Sequence, residues 1–197
     1  MHGTSGYREA AVELIAQYEE VGFEQLHGEL LHLLPERPVR VLELGAGTGR
    51  DAAWLAARGH LVTAVEPVVE LRVHERPGIT WVVDELPGLA SVAGEFELVT
   101  AVAVWMHLDP AERRAAMRRV AGLLAPGGLL LLTLRHGPVP AGRSMHPVSA
   151  AETALLGREF GLVEVHRSER ADGHGRAGVH WEQLALDRPG QEADPGR

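Results

Sequence analysis

The sequence contains no cysteine and no lysine, and each absence excludes several kinds of chemistry. Without cysteine the chain can form no disulfide, iron–sulfur cluster, thiolate zinc site or cysteine nucleophile. Without lysine it can form no Schiff base and cannot use a P-loop lysine to bind a phosphate. All 19 of its Lys and Arg positions are arginines, and 27 Asp and Glu residues bring the formal net charge to −8. An acidic chain without an arginine block is poorly suited to nucleic acid, because phosphate neutralisation dominates that binding.

Long apolar runs are missing as well. No stretch approaches the ~20 residues that a membrane-spanning helix needs, and the start of the chain lacks the basic-then-apolar pattern of a secretory signal. We therefore expect a cytoplasmic protein with no membrane partner. Asparagine is absent too, and the abundance of Ala, Gly, Pro, Arg and Leu is typical of a GC-rich bacterial genome.

Short apolar runs alternate with helical patterns along the chain, which is typical of a parallel sheet covered by helices. The pattern predicts seven strands in one domain, over residues 39–44, 60–65, 79–83, 96–104, 129–134, 162–166 and 179–186. A polar segment separates the last two strands, so an antiparallel pair is plausible. Asp109, Pro110 and Glu112 form a strong helix start, with Asp109 as the N-cap and Glu112 completing a capping box.

Residues 1–35 are predicted to form a helical cap on a single domain that spans residues 1–187. Apolar residues at helical spacing run from Tyr7, with Ser5 available as a cap, and a second helical pattern ends near residue 35. Residues 188–197 have little apolar area to bury and are expected to be disordered. A Gly- and Pro-rich stretch over residues 136–147 predicts a mobile loop.

The glycines of residues 45–49 lie between the first predicted strand and the following helix. Glycines at such a turn let a ligand approach the backbone closely, and the helix N-terminus offers free N–H groups. Glu66 ends the next strand, where its carboxylate could accept the ribose hydroxyls of an adenosine ligand. The dinucleotide fingerprint fails because Arg50 stands where its third glycine is required. The spacing, with Glu43 two positions upstream, suits a ligand without a pyrophosphate.

Several motifs, taken in order from about residue 39 to residue 186, resemble those of the class I S-adenosylmethionine-dependent methyltransferases. Residues 43–49 (ELGAGTG) resemble the first motif of that family, and Glu66 matches its acidic ribose-binding residue. Asp84 matches the segment after strand three, and residues 124–128 resemble the turn before strand five. The resemblance implies a doubly wound, Rossmann-like α/β fold of seven strands with an antiparallel last strand. It also implies S-adenosyl-L-methionine as cofactor, with the N-terminal helices as a lid.

The resemblance assigns roles to individual residues. Gly45, Ala46 and Gly47 would pack against the methionine and ribose portions of the cofactor, and Asp84 would hold the adenine amino group. The full expected set of cofactor-binding residues is Tyr18, Glu43, Gly45, Ala46, Gly47, Arg50, Glu66, Pro67, Asp84, Glu85, Leu86, Ala103 and Val104. Asp84 could instead cap a turn, and Glu66 could be a solvated residue at a strand end. Arg50 could pair with the cofactor carboxylate, and Asp51 could simply favour the helix N-terminus.

Three residues near the carboxyl ends of strands four and five are candidates for the acceptor side. His107 has the pKa range and position of a general base, although it could equally pack beside the following helix. His136 is a second candidate base. Arg135 could bind a carboxylate through two hydrogen bonds, or could form an ordinary surface ion pair. Tyr18 is the preferred lid residue, and Arg143 and His146 could close the site from the other side.

The leading hypothesis is methyl transfer from S-adenosylmethionine to an oxygen or nitrogen of a small polar metabolite, by in-line displacement. The chain has eleven histidines, but their spacing matches no standard metal site, so no catalytic metal is expected. The alternatives are a peptide or protein methyltransferase, a non-catalytic S-adenosylmethionine-binding protein, and a nicotinamide oxidoreductase with a degenerate loop. The sequence leaves the oligomeric state and the methyl acceptor open.

Overall fold

A sheet of seven strands forms the centre of the computed structural model, which describes residues 4, 6–72 and 76–190. The strands are β1 (Arg40–Leu44), β2 (Leu61–Val65), β3 (Ile79–Val82), β4 (Phe96–Val102), β5 (Leu124–His136), β6 (Val163–Ala171) and β7 (His180–Asp187). Their order across the sheet is β3-β2-β1-β4-β5-β7-β6, with β7 antiparallel to both β5 and β6. The predicted doubly wound fold with an antiparallel last strand is therefore confirmed.

Helices cover both faces of the sheet. They are α1 (Ala11–Glu19), α2 (Phe23–His27), α3 (Arg50–Ala57), α4 (Pro110–Leu123) and α5 (Ala150–Glu159), with 3₁₀ turns at Gly28–Leu33, Val69–Leu71 and Trp105–His107. The predicted capping box at α4 forms, since Asp109 Oδ1 accepts from the Glu112 N–H at 2.8 Å and Glu112 Oε2 accepts from the Asp109 N–H at 2.9 Å. Ser5, the expected cap of the first helix, lies outside the described residues.

Several boundaries differ from the sequence prediction. The helical pattern after Phe23 forms a short α2 and a 3₁₀ turn rather than one helix. Strand β5 begins at Leu124 instead of residue 129, because Leu124 pairs with Phe96 before a bulge shifts the register. In the part of the chain that the structure describes, the segment after β2 forms only a 3₁₀ turn at Val69–Leu71. Most of the predicted disordered tail, residues 191–197, lies outside that part.

The central strands are buried on both faces, which explains their almost continuous aliphatic sequence. The larger core cluster joins β4 and β5 to α4 through side chains such as Val99, Leu132, Met117 and the fully buried Trp105. Strand order reverses between β1 and β4, and in such sheets a crevice forms beyond the carboxyl ends at that point. Within the described residues, no helix is long and apolar enough to cross a membrane.

Candidate active site

A cavity of about 240 Å³ lies beyond the carboxyl ends of β1, β2 and β4, at the point where strand order reverses. It is lined by every residue that the sequence analysis expected to bind the cofactor: Tyr18, Glu43, Gly45, Ala46, Gly47, Arg50, Glu66, Pro67, Asp84, Glu85, Leu86, Ala103 and Val104. His107 and Arg135 line it too. The fold thus brings residues from α1, from β5 and from the ends of β1, β2, β3 and β4 to one place.

The turn after β1 requires glycine at Gly45. Its φ is +66°, and a Cβ at this position would lie 2.5 Å from Cγ2 of Val104. The left-handed backbone and the close approach of the β4 loop therefore both exclude a side chain. The Ala46 N–H donates to the Val65 carbonyl at 3.0 Å, which fixes the turn against the end of β2.

Glu66 holds the glycine turn from the neighbouring strand end. Its Oε2 accepts a hydrogen bond from the Gly47 N–H and its Oε1 accepts one from the Val68 N–H, both at 2.8 Å. The side chain is only 4% exposed, and burial raises its pKa although the two N–H donors oppose that shift. Each carboxylate oxygen keeps a second lone pair that can accept a further hydrogen bond. The carboxylate is therefore fixed in the cavity wall with acceptor capacity to spare.

Asp84 is tied to its own loop. Its Oδ1 accepts from the Glu85 N–H at 2.8 Å and its Oδ2 from the Ser91 N–H at 2.6 Å. This geometry corresponds to the turn-capping interpretation, at a position that also lines the cavity.

A buried network of charges lies beneath the glycine turn. Arg50 Nε donates to Asp51 Oδ1 at 2.6 Å, and Asp51 Oδ2 lies in hydrogen-bond contact with His27 Nε2 at 2.9 Å. Burial opposes ionisation of Asp51, but His27 and Arg50 outweigh it and hold its pKa well below the usual range. Arg50 Nη1 also donates to the Tyr18 carbonyl at 2.7 Å, so this arginine is engaged within the chain and joins α1 to α3.

Glu43 lies at the base of the same network and is 3% exposed. Burial, with Asp51 nearby, raises its pKa well above the ordinary value. Among the described residues, its Oε2 finds no hydrogen-bond partner. The protonated form of this side chain is therefore favoured relative to an exposed glutamate.

His107 connects the N-terminal segment with the loop after β5. Its Nδ1 lies 2.7 Å from the Ser144 carbonyl, and its Nε2 lies 2.9 Å from the Tyr7 hydroxyl. A carbonyl can only accept, so Nδ1 carries the proton and Nε2 is the acceptor for the tyrosine O–H. Burial lowers the pKa of His107, and the charges of Arg143 and Arg135 lower it further. The imidazole is therefore a neutral acceptor near neutral pH.

The two candidate lids meet above this histidine. The Arg143 guanidinium lies 3.8 Å from the centre of the Tyr7 ring. The backbones approach so closely that a Cβ on Gly6 would lie 2.6 Å from the Gly142 carbonyl oxygen. Tyr7 and Arg143 thus close one side of the cavity together, a pairing that the sequence could not indicate because the two residues are far apart along the chain.

His136 does not join the other candidates. Side chains alternate along a strand, so Arg135 and its neighbour His136 leave β5 on opposite faces. Arg135 lines the cavity, whereas His136 does not: its Nε2 lies 2.9 Å from Glu182 Oε2 and its ring stacks on His180. The strand period of two residues, applied to this dipeptide, would have shown that one of the two must face away.

Sequence reasoning missed the cavity residues on the β6–β7 hairpin, which include Arg170, Asp172 and Arg176. They belong to a polar stretch that carries no motif, and only the antiparallel return of β7 beside β5 brings them to the cavity. Among the described residues, no group of three or more His, Asp or Glu side chains is arranged to hold a metal ion.

Comparison with known proteins agrees with the fold. The family model described as "Methyltransferase domain" matches residues 18–184. A methyltransferase of Mycobacterium tuberculosis strain H37Rv is 39% identical over 101 residues, which is 50% of this chain and 40% of that protein. The chain therefore spans less than half the length of this relative.

Two solved structures share the architecture at low sequence identity. The 1,6-didemethyltoxoflavin-N1-methyltransferase of Burkholderia thailandensis, with bound 1,6-didemethyltoxoflavin and S-adenosylhomocysteine, has a TM-score of 0.72 and 21% identity, covering 93% of this chain and 85% of its own. The N-methyltransferase NodS of Bradyrhizobium japonicum WM9, in complex with S-adenosylhomocysteine, has a TM-score of 0.68 and 20% identity. The match covers 92% of this chain and 98% of the NodS chain. The family model covers most of the chain and the fold agrees with it, so this chain belongs to the class I S-adenosylmethionine-dependent methyltransferases.

Proposed function

We propose that this protein transfers a methyl group from S-adenosylmethionine to a nitrogen or oxygen atom of a small polar metabolite. The observation that carries the proposal is the His107–Tyr7 pair, which lies in the same cavity as the glycine turn and Glu66. The part of the cavity at the glycine turn and Glu66 is suited to an adenosine ligand. The part at His107 and Tyr7 offers a neutral imidazole as a hydrogen-bond acceptor for the acceptor molecule.

The residues present fit S-adenosylmethionine. The glycine turn lines the cavity and carries no side chain at Gly45 or Gly47, so a ligand can approach its backbone closely. The carboxylate of Glu66 retains acceptor capacity for the two ribose hydroxyls. Asp84 and its neighbours would border the adenine, and backbone at Ala103 and Val104 the methionine end. When bound, the cofactor supplies a methyl group already activated on a sulfonium.

The protein's own contribution is alignment, exclusion of water and removal of a proton. Holding two reactants in line can contribute ~7–11 kcal/mol to catalysis. A nitrogen or oxygen nucleophile that starts protonated must also lose a proton, and general base catalysis contributes ~10²–10⁴-fold. His107 would accept a proton at Nε2 through the Tyr7 hydroxyl, which would pass its own proton to the imidazole as it takes the proton of the nucleophile. The hydrogen bond to the Ser144 carbonyl orients the ring for that role.

Two features support a small acceptor. The contact of Gly6 and Tyr7 with the loop around Arg143 closes one side of the cavity, which favours a compact molecule over a polymer. The net charge of −8 disfavours nucleic acid.

Two structural relatives are named as N-methyltransferases, and one of them binds 1,6-didemethyltoxoflavin, so nitrogen is the favoured target.

A labelled-methyl assay tests this function. The protein is incubated with a metabolite extract and S-adenosylmethionine carrying a ¹³C methyl group, and products are identified by mass spectrometry. We expect label in metabolites, a loss of transfer in His107→Ala, and normal transfer in His180→Ala, which removes an exposed histidine outside the cavity. Label found only in protein or RNA would contradict the proposal. Absence of transfer from a protein that still binds S-adenosylhomocysteine would favour a non-catalytic binding role.

A further inference from the structure

One wall of the cavity is rich in arginine. Arg135 lies near the end of β5, Arg143 in the following loop, Arg170 near the end of β6 and Arg176 in the connection to β7. We call these four residues the arginine wall. Each carries a permanent positive charge, because the guanidinium group does not deprotonate in proteins.

The acidic residue next to this wall is already engaged. Asp172 accepts from Arg176 Nε at 3.0 Å and Nη2 at 2.7 Å, and from Trp181 Nε1 at 2.9 Å. The hydrogen bond from Arg176 holds the pKa of Asp172 well below its usual range, although burial opposes the shift. Asp172 therefore pairs directly with Arg176 alone, although its charge also acts favourably on Arg135 and Arg170. No described carboxylate lies within 4.0 Å of a charged nitrogen of the other three.

Arg135 is the most buried member, at 9% exposure. Its Nη1 donates to the Pro138 carbonyl at 2.9 Å and to the sulfur of Met145 at 3.8 Å. Within the described part of the chain, its Nε is buried and has no hydrogen-bond partner. Burial lowers the pKa of Arg135, and the charge of Arg176 lowers it further. A buried guanidinium with an unused N–H donor is stabilised when an anion accepts that donor.

Arg170 lies on β6, on the other side of β7, where it flanks Trp181 opposite Arg135. Its Nε is also buried without a partner among the described residues, and its guanidinium lies 4.9 Å from the centre of the Trp181 ring. Two guanidinium groups with unused donors therefore line one cavity wall. Planar guanidinium donors match the paired oxygens of a carboxylate or phosphate.

We propose that the methyl acceptor carries an anionic group, a carboxylate or a phosphate, and that Arg135 and Arg170 bind this group in the cavity. The inference rests on the proposed function and narrows its substrate class. The location favours the acceptor over the carboxylate of the cofactor, because Arg135 contacts Pro138 and Met145 in the same loop whose Ser144 carbonyl accepts from His107. An anion held there would place its nucleophile near Nε2 of that histidine.

Fluorine NMR of weakly bound probes tests the site without knowledge of the true acceptor. The probes are 4-fluorobenzoate and 4-fluorophenyl phosphate, with 4-fluorobenzamide as the neutral control, each titrated into protein saturated with S-adenosylhomocysteine. We expect at least one anion to bind more tightly than the amide. Hydrogen bonds to charged groups contribute ~1.5–3 kcal/mol, so Arg135→Gln should raise the Kd of that anion by roughly 10-fold or more. Arg40→Gln is the matched control, because Arg40 lies outside the cavity beside Glu97.

The affinity for S-adenosylhomocysteine, measured by calorimetry, should stay within about twofold in Arg135→Gln. Three results would overturn the proposal: no anion binding to the wild type, equal binding of the amide, or equal anion binding by wild type and Arg135→Gln. A loss of S-adenosylhomocysteine affinity with unchanged anion binding would also overturn it. Failure of the proposed function gives a different result: the anionic probe binds at Arg135, but the assay with the metabolite extract yields no methylated metabolite.

Discussion

Replacing Glu66 with alanine should weaken cofactor binding strongly, because this carboxylate joins the glycine turn to the expected ribose site. Its oxygens each accept one backbone N–H at 2.8 Å and keep lone pairs for two hydroxyls. Hydrogen bonds to a charged group contribute ~1.5–3 kcal/mol each, so losing two corresponds to about 3 kcal/mol or more, roughly 100-fold in Kd. Calorimetric titration with S-adenosylhomocysteine measures the effect directly.

The matched control is Glu97→Ala, which removes a carboxylate that accepts the Arg40 N–H at 3.0 Å outside the cavity. A double-mutant cycle separates ribose binding from collapse of the turn. An S-adenosylhomocysteine analogue without the 2′ and 3′ hydroxyls should bind the wild type weakly and be almost insensitive to Glu66→Ala. If Glu66→Ala binds S-adenosylhomocysteine within about threefold of the wild type, the ribose role is wrong. Equal losses with both ligands would assign Glu66 to the turn alone.

Three further predictions follow from other parts of the structure. Because burial lowers the pKa of His107, a pH-rate profile should show kcat/KM rising with pH through an inflection below 6.5 and staying level above it. His107→Ala should remove this rise and lower kcat by ~10²–10⁴-fold. Gly45→Ala, at a φ of +66°, should lower the free energy of unfolding measured in urea by about 1–3 kcal/mol. Adding Val104→Ala to this variant should restore only part of the loss, because it relieves the contact with the new Cβ and not the backbone strain. Asp109→Ala should lower the free energy of unfolding by about 1 kcal/mol without changing S-adenosylhomocysteine affinity. An unchanged unfolding midpoint would mean that the capping box does not contribute to stability.

The cofactor side of the cavity could be predicted because its residues follow strands in a local, ordered pattern. Glycines after a buried strand and an acidic residue after the next one are each readable within a few positions, and parallel strands bring their carboxyl ends to one edge. Gly45 and Glu66 therefore meet in the structure as the sequence indicates. Asp84 shows the limit of such reasoning, since its hydrogen bonds to backbone N–H groups depend on a loop conformation that no motif specifies.

The acceptor side depends on contacts between distant parts of the chain. Tyr7 reaches His107 across 100 positions, and the arginine wall forms only because β7 returns antiparallel between β5 and β6. The same strand geometry decides between Arg135 and His136, which composition and position alone could not separate. Residues that act together through tertiary packing carry no spacing signal, so they escape a search for motifs.

The absence of lysine also affects which side chains of this cavity can accept a proton. A lysine in the arginine wall could lose its proton when buried among cations and so serve as a base, whereas arginine stays charged. The wall therefore offers positive charge and N–H donors but cannot accept a proton. Burial raises the pKa of Tyr7, which keeps its hydroxyl protonated. Burial lowers the pKa of His107, the charges of Arg143 and Arg135 lower it further, and both effects favour an Nε2 without a proton. In the two proposals, anion binding thus belongs to arginine and proton removal to histidine, and the charge that would bind the anion also lowers the pKa of the histidine.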